Sequence, residues 1–202
     1  LCKQKGNEIY VPVKQLMGYD NAALIYEIIS TYGFNEKQAD EVIKLATSDS
    51  GKYIQSPESD YRIIKHRHWF IRSPVVATET DHIIIEKNER EIVFALGTLR
   101  MEATNNLRPV TGNNTASLDA NKIKFPLLLR KWKTGDYFYP LGMRKKKKLN
   151  RFLIDQKLSL TAKQNVWVIE SNQRIIWVVG YRIDDRFKVT DHTNSVLMLT
   201  LK

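Results

Sequence analysis

Apolar positions recur along this chain at two periods. Between 21 and 46 the spacing is helical, with Leu24, Ile25, Ile28, Ile29 and Tyr32 on one stripe and Ala39, Val42, Ile43 and Ala46 on a second. Gly33 is placed to end the first helix, and Asn35 followed by Gln38 has the form of a capping box opening the next. An alternating stretch at 8–13 precedes them and predicts a strand. Beyond Gly51 the runs shorten, at 61–64, 69–71, 82–85 and 91–96, and become rich in β-branched and aromatic residues, which predicts strands. Asn105, Asn106, Pro109, Gly112, Asn113 and Asn114 then gather turn formers into one stretch, read as a connecting segment at 106–120. After it the pattern predicts a strand at 123–132, a turn at Gly135-Asp136, a short helix carrying Leu149, Phe152 and Leu153, and strands at 166–169, 174–179 and 196–201. The expectation is an α+β chain of two small domains. A helix-plus-strand domain at 1–105 is followed by a mainly β domain at 121–202 with a short basic helix.

Composition adds a partner class. The chain has 202 residues, 43% of them hydrophobic, enough for a core in either domain. Its net charge of +10 is unevenly spread. Residues 1–120 hold 14 Lys and Arg against 16 Asp and Glu, whereas 121–202 hold 18 against 6. A domain with that excess repels itself, and a polyanion relieves the repulsion while releasing its own counterions. No apolar run approaches bilayer length and no leader-like stretch opens the chain, so a soluble cytoplasmic protein with no membrane partner is expected. Cys2 is the single cysteine, which excludes an internal disulfide and a thiolate zinc site. The first residue is Leu1 and not Met, which suggests a piece of a longer protein.

The chemistry-bearing residues are basic. Arg144, Lys145, Lys146, Lys147 and Lys148 follow Gly142-Met143 and lead into the short helix, where a loop can present them to phosphates. A solvated charge run is the ordinary reading of such a stretch. Against it stand Arg130, Lys131, Lys133, Lys157, Arg182, Arg186 and Lys188 in the same domain, interleaved with Trp132, Tyr137, Tyr139 and Tyr181. That mixture suits RNA backbone contact and stacking on exposed bases, while Phe138 and Trp177 are assigned to the core. Catalytic patterns are weak. His66 and His68 would share one strand face but lack a third ligand at metal spacing. Asp184-Asp185 lies between Arg182 and Arg186 and reads as ion pairing in a turn. Ser50-Gly51-Lys52 lacks the earlier glycine of a phosphate loop. No catalytic or metal-binding residue is assigned.

Several motifs of the C-terminal half carry a resemblance. Pro126-Leu127-x-x-Arg130 is followed by Gly135-Asp136-x-Phe138-x-Pro140-x-Gly142-Met143. Then come Lys147-Lys148-Leu149-x-x-Phe152-x-Ile154-Asp155-x-Lys157 and Ile176-Trp177-Val178-x-Gly180-x-Arg182-Ile183. In order and spacing these resemble the C-terminal domain of bacterial tRNA-Ile lysidine synthetases, and the N-terminal half is similar to the family's middle, substrate-binding domain. The family joins lysine to the wobble cytidine of a minor isoleucine tRNA, using ATP. Its catalytic domain is marked by Ser-Gly-Gly-x-Asp-Ser, which does not occur here. The resemblance therefore implies the tRNA-binding part of a ligase, with no cofactor of its own and with ATP and Mg belonging to the catalytic domain. The chain departs from the family at Ser159, where a proline is common, and at Lys163, which stands for an arginine. Phosphate contact is expected of Arg130, Lys133, Arg144, Lys145, Lys146, Lys147, Lys148, Lys157, Arg182 and Arg186, with Asp136 orienting a basic partner. The alternative readings are a stand-alone module for structured RNA and a membrane-surface protein reading anionic lipid through the lysine run. A homodimer is compatible with the sequence.

Overall fold

A computed structural model describes residues 2–19, 21–75, 82–110 and 112–202. The chain divides into two compact units, one of residues 1–78 with the short segment 159–161, the other of 79–158 and 162–202.

The first unit runs β1 (Lys3–Lys5), β2 (Glu8–Pro12), α1 (Val13–Met17), α2 (Ala22–Ser30), α3 (Glu36–Ala46), β3 (Tyr53–Gln55), β4 (Tyr61–His66) and β5 (Trp69–Pro74). The strands form one antiparallel sheet in the order β1-β2-β5-β4-β3. Asn21 caps α2, its side chain accepting from the backbone of Ala23 and Leu24. The Asn35–Gln38 capping box of α3 is present with both of its reciprocal bonds. Ile25 and Ile29 of α2 and Ala39, Val42 and Leu45 of α3 pack with Ile63 and Phe70 of the sheet. Ile43, expected on that stripe, is exposed, and Leu45 takes its place in the core. His66 pairs with Trp69 across the turn Arg67-His68, so His66 and His68 do not share a strand face as expected.

The second unit contains β6 (His82–Ile85), β7 (Glu91–Phe94), β8 (Gly97–Thr104), β9 (Thr115–Asp119), β10 (Leu127–Lys131), β11 (Tyr137–Phe138) and β12 (Lys147–Lys148). It continues with α4 (Leu149–Asp155), β13 (Trp167–Ser171), β14 (Arg174–Val178), β15 (Arg182–Ile183) and β16 (Val196–Leu201), while α5 (Leu160–Gln164) is divided, its first two residues counted with the first unit and the rest with the second. Two antiparallel sheets, β15-β14-β13-β10-β6 and β7-β8-β16-β9, close on one core. Ile85, Leu127, Leu129, Trp167, Ile169 and Trp177 enter it from the first sheet, and Leu99, Met101, Ala116, Leu118 and Leu199 from the second. The opposite face of the five-stranded sheet is also covered, as Val168, Ile175 and Val178 meet Phe138, Leu149, Phe152 and Leu153. Burial on both faces explains why β13 and β14 read as continuous apolar runs. A register shift skips Ile176 in the β13–β14 pairing, which sets Ile176 and Trp177 in the same core.

The domain limits differ from those expected at 105 and 121. β6 pairs with β10, and both β8 and β9 pair with β16, so 82–119 builds the second unit and does not join the first or link the two. The turn formers around 105–114 make the connection between β8 and β9. By these limits the first unit has 10 Lys and Arg against 9 Asp and Glu, and the second 22 against 13, so the positive excess stays with the second unit.

Candidate RNA interface

The lysine run lies on a hairpin of the second unit. β11 and β12 pair with Tyr137 opposite Lys148 and Phe138 opposite Lys147, and residues 139–146 form the connecting loop. Phe138 points inward, fully buried against Phe152 at 5.1 Å between ring centroids, while Tyr137 is 49% exposed. This alternation of the strand sets one aromatic in the core and one in solvent. At the loop, Arg144, Lys145 and Lys146 are all exposed, and the Lys146 ammonium lies 5.3 Å from the Tyr137 ring centre. Lys147 turns back toward α4, its Nζ donating to Asp155 Oδ2 at 2.8 Å above the Phe152 ring. That bond holds the Asp155 carboxyl below its ordinary range. Lys148 is exposed at the start of α4, and Lys157 is exposed beyond the far end of that helix.

Two carboxylates fasten the loop to the segment after β14. Asp184 is wholly buried. Its Oδ1 accepts from the backbone and Nε of Arg186, and its Oδ2 accepts from Arg186 Nη2 and from the Tyr139 backbone N–H, all within 2.8–2.9 Å. The Arg186 guanidinium lies 4.3 Å from the Tyr139 ring centre, and its hydrogen bonds to Asp184 raise its pKa above the ordinary value. Asp185 accepts from the Gly142 N–H at 2.9 Å and from Lys188 Nζ at 3.0 Å. The Gly142 bond, joined by Lys188, holds its carboxyl below the usual range. Backbone bonds from Asp185 N to Tyr139 O and from Leu141 N to Ile183 O complete the seam, and Ile176, the residue skipped in the β13–β14 register, offers its carbonyl to Asp184 N. Arg182, on β15 beside this seam, is exposed.

Arg130 behaves differently from its expected role. It is 7% exposed and sits on β10, between β13 and the edge strand β6 of the five-stranded sheet. Its Nη1 meets Asp136 Oδ2 at 2.8 Å, its Nη2 meets Asp136 Oδ1 at 2.9 Å, and Nη2 also donates to Glu170 Oε1. Burial alone would lower its pKa, but the bonds to Asp136 and Glu170 outweigh that and hold it above the ordinary guanidinium value. With its fork committed to two carboxylates, Arg130 is a framework residue and offers no donor pair to a phosphate. Asp136 also accepts from the backbone N–H of Lys133, whose own side chain faces solvent. A polar cavity of about 90 Å³ adjoins this network, lined by Gly135, Tyr137, Glu170, Gln173, Arg174 and Arg186 among others. The structure thus brings Arg144 to Lys148, Arg182, Arg186 and Tyr137 onto one hairpin and its anchor, and places Lys157 apart.

Glu170 and Lys188, the partners of Arg130 and Asp185, carry no sequence signal that marks them out. The ion pairing expected at Asp184-Asp185 is present through Arg186 and Lys188, while the tie from that pair to the lysine loop has no local signature in the sequence. Among the described residues no three His, Cys, Asp or Glu side chains are placed to hold a metal ion, and no helix is long and apolar enough to cross a membrane.

Comparison with known proteins agrees with this arrangement. Residues 4–75 match the family model of the TilS substrate binding domain, and 127–199 match that of the TilS substrate C-terminal domain. The tRNA(Ile)-lysidine synthase of Parabacteroides distasonis is 32% identical over 178 residues, 87% of this chain and 40% of that protein. The tRNA(Ile)-lysidine synthase of Bacteroides thetaiotaomicron is 32% identical over 176 residues, 87% of this chain and 39% of that protein. The chain therefore spans about two fifths of the length of these curated relatives. A crystal structure of a TILS C-terminal domain superposes with a TM-score of 0.51 at 21% identity, covering 59% of this chain and 95% of that one, and so shares its fold. With both models matched in order along one chain, and relatives at this identity spanning most of it, the chain belongs to the tRNA(Ile)-lysidine synthase family and carries its substrate-binding and C-terminal domains.

Proposed function

We propose that this chain holds tRNA for a lysidine-forming ligase, and that the β11–β12 hairpin of the second unit is its main phosphate-binding feature. The observation that carries the reading is the exposed group Arg144, Lys145 and Lys146 beside the exposed ring of Tyr137, on the unit that holds the positive excess. Flexible ammonium groups act on phosphates as point charges, and an exposed ring suits stacking on an unpaired base. Lys133, Lys148 and Arg182 extend this surface, and Lys157, beyond α4, is a separate exposed cation. Arg130, Lys147 and Arg186, committed to carboxylates, hold its shape. The substrate proposed for the whole protein is a minor isoleucine tRNA, to whose wobble cytidine lysine is joined with ATP, in the cytoplasm. ATP and Mg chemistry is assigned to a catalytic domain other than these two, since the Ser-Gly-Gly-x-Asp-Ser motif that marks it in the family does not occur in this sequence.

The test is filter binding of the 202-residue chain to an isoleucine tRNA across a salt series, with lysidine formation assayed in parallel. Salt-sensitive binding without lysidine is expected. Binding that ignores salt, or product from the pure chain with ATP and lysine, would overturn the reading.

A further inference from the structure

Resting on the reading above, we infer that Asp184 and Asp185 are positioning residues for RNA binding: two negative charges, set beneath a surface that meets a polyanion, that raise affinity by fixing the shape of the basic hairpin. On charge alone they should oppose binding. A carboxylate near bound phosphates is repulsive, and removing it makes the unit more positive. Geometry points the other way. Asp184 takes the Tyr139 N–H, the first residue of the loop, and Asp185 takes the Gly142 N–H, two residues before Arg144. Between them Leu141 N bonds Ile183 O and Pro140 bridges Asp184. The limb of the loop that leads to Arg144 is thereby stitched to β15 and the residues after it through Tyr139, Leu141 and Gly142, whose bonds flank the Pro140–Asp184 pair. A free loop carrying three cations would lose conformational entropy on binding. A loop already held meets the phosphates with that cost removed. The charge of the two carboxylates is also neutralised locally, since Asp184 is forked by Arg186 and Asp185 is paired with Lys188.

The side chains make the two effects separable. Asp185 is half-buried and at the surface side of the seam, so its replacement leaves the core intact, whereas Asp184 is wholly buried and its loss threatens the fold. Asp185→Ala removes the acceptor for Gly142 N–H together with the charge. Asp185→Asn removes the same charge but keeps an oxygen able to accept from Gly142. Asp191→Asn, at an exposed position, is the control for charge alone.

Each variant of the 202-residue chain is titrated with a fluorescein-labelled RNA stem-loop over a salt series, with thermal melting recorded alongside. Positioning predicts that Asp185→Ala binds roughly tenfold more weakly than the unmodified chain, with the log–log salt slope reduced by about 0.7–0.9 for each phosphate that the displaced loop no longer neutralises. Asp185→Asn should recover most of the affinity, and Asp191→Asn should bind as tightly as the unmodified chain or tighter. A merely structural role would lower melting without changing the salt slope. Equal binding by Asp185→Ala and Asp185→Asn, at or above the unmodified chain, would overturn the inference while leaving the RNA-binding reading intact. Absence of salt-sensitive binding by the unmodified chain would overturn both.

Discussion

Arg130 and Arg182 occupy one five-stranded sheet with the same charge and opposite surroundings. Arg182 is exposed on the edge strand β15, while Arg130 is enclosed and forked onto Asp136 and Glu170. Lysine in place of Arg130 keeps the charge but offers a single ammonium where a planar fork meets three carboxylate oxygens and the Lys131 carbonyl, and it leaves those carboxylates under-satisfied. Arg130→Lys should therefore cost about 1–3 kcal/mol of stability, read as a lower melting temperature of the second unit. Arg182→Lys should leave melting unchanged. The sequence shows that both residues are cationic, and nothing local tells them apart. The partners of Arg130 lie 6 and 40 residues away, and only the fold brings them together. The burial of Asp184 is hidden for the same reason, since its bond to Tyr139 spans 45 residues.

Strand alternation divides the lysine run into parts with different tasks. Lys147 and Lys148 are consecutive on β12 and so face opposite ways, Lys147 toward Asp155 and Lys148 toward solvent. The paired substitution Lys145→Ala with Lys146→Ala should lower RNA affinity and the salt slope while leaving melting in place. Lys147→Ala should leave a smaller mark on the slope and lower melting, because it frees the α4 end of the hairpin. Salt-dependent binding and thermal melts on the two variants check this division. Elements defined by short-range signals were legible in advance. α2 and α3 carry their caps within a few residues of their apolar stripes, and α4 announces itself through Leu149, Phe152 and Leu153. β9 was not legible, because Pro109, Gly112 and two asparagine pairs stand just before it and its own sequence includes Ser117 and Asp119. Those polar groups are buried with partners supplied elsewhere: the Ser117 hydroxyl accepts from Val110 N, and Asp119 caps the turn that follows and meets Lys122.

At the level of the molecule, the two-domain α+β plan was readable from the change in period, but the boundary was not. A composition shift marks where charge accumulates, and 82–119 carries little of it while supplying four strands to the basic unit. Cutting at 121 would strip β10 of β6 and leave β16 without either neighbour. It would also remove Ile85, Leu99, Met101 and Leu118 from the core. A piece comprising 79–202 should melt cooperatively and retain salt-sensitive RNA binding, whereas 121–202 should show no cooperative melting and should aggregate. Circular dichroism melts and size-exclusion chromatography of the two pieces distinguish them. The same placement of β16 has a consequence for biosynthesis. Gly97, at φ +125°, leaves room for the Lys202 carbonyl, which accepts from Thr98, so the sheet closes around residues translated about a hundred positions after its first hairpin. A ribosome making this protein releases residues 1–78, the bulk of the first unit, ahead of the second. It must then carry β8 and β9, still waiting for the strand that belongs between them, until residue 201 has cleared the exit tunnel. Over that interval the nascent second unit is exposed to chaperones and to neighbouring chains, and a premature stop anywhere before 196 would leave it in that state permanently.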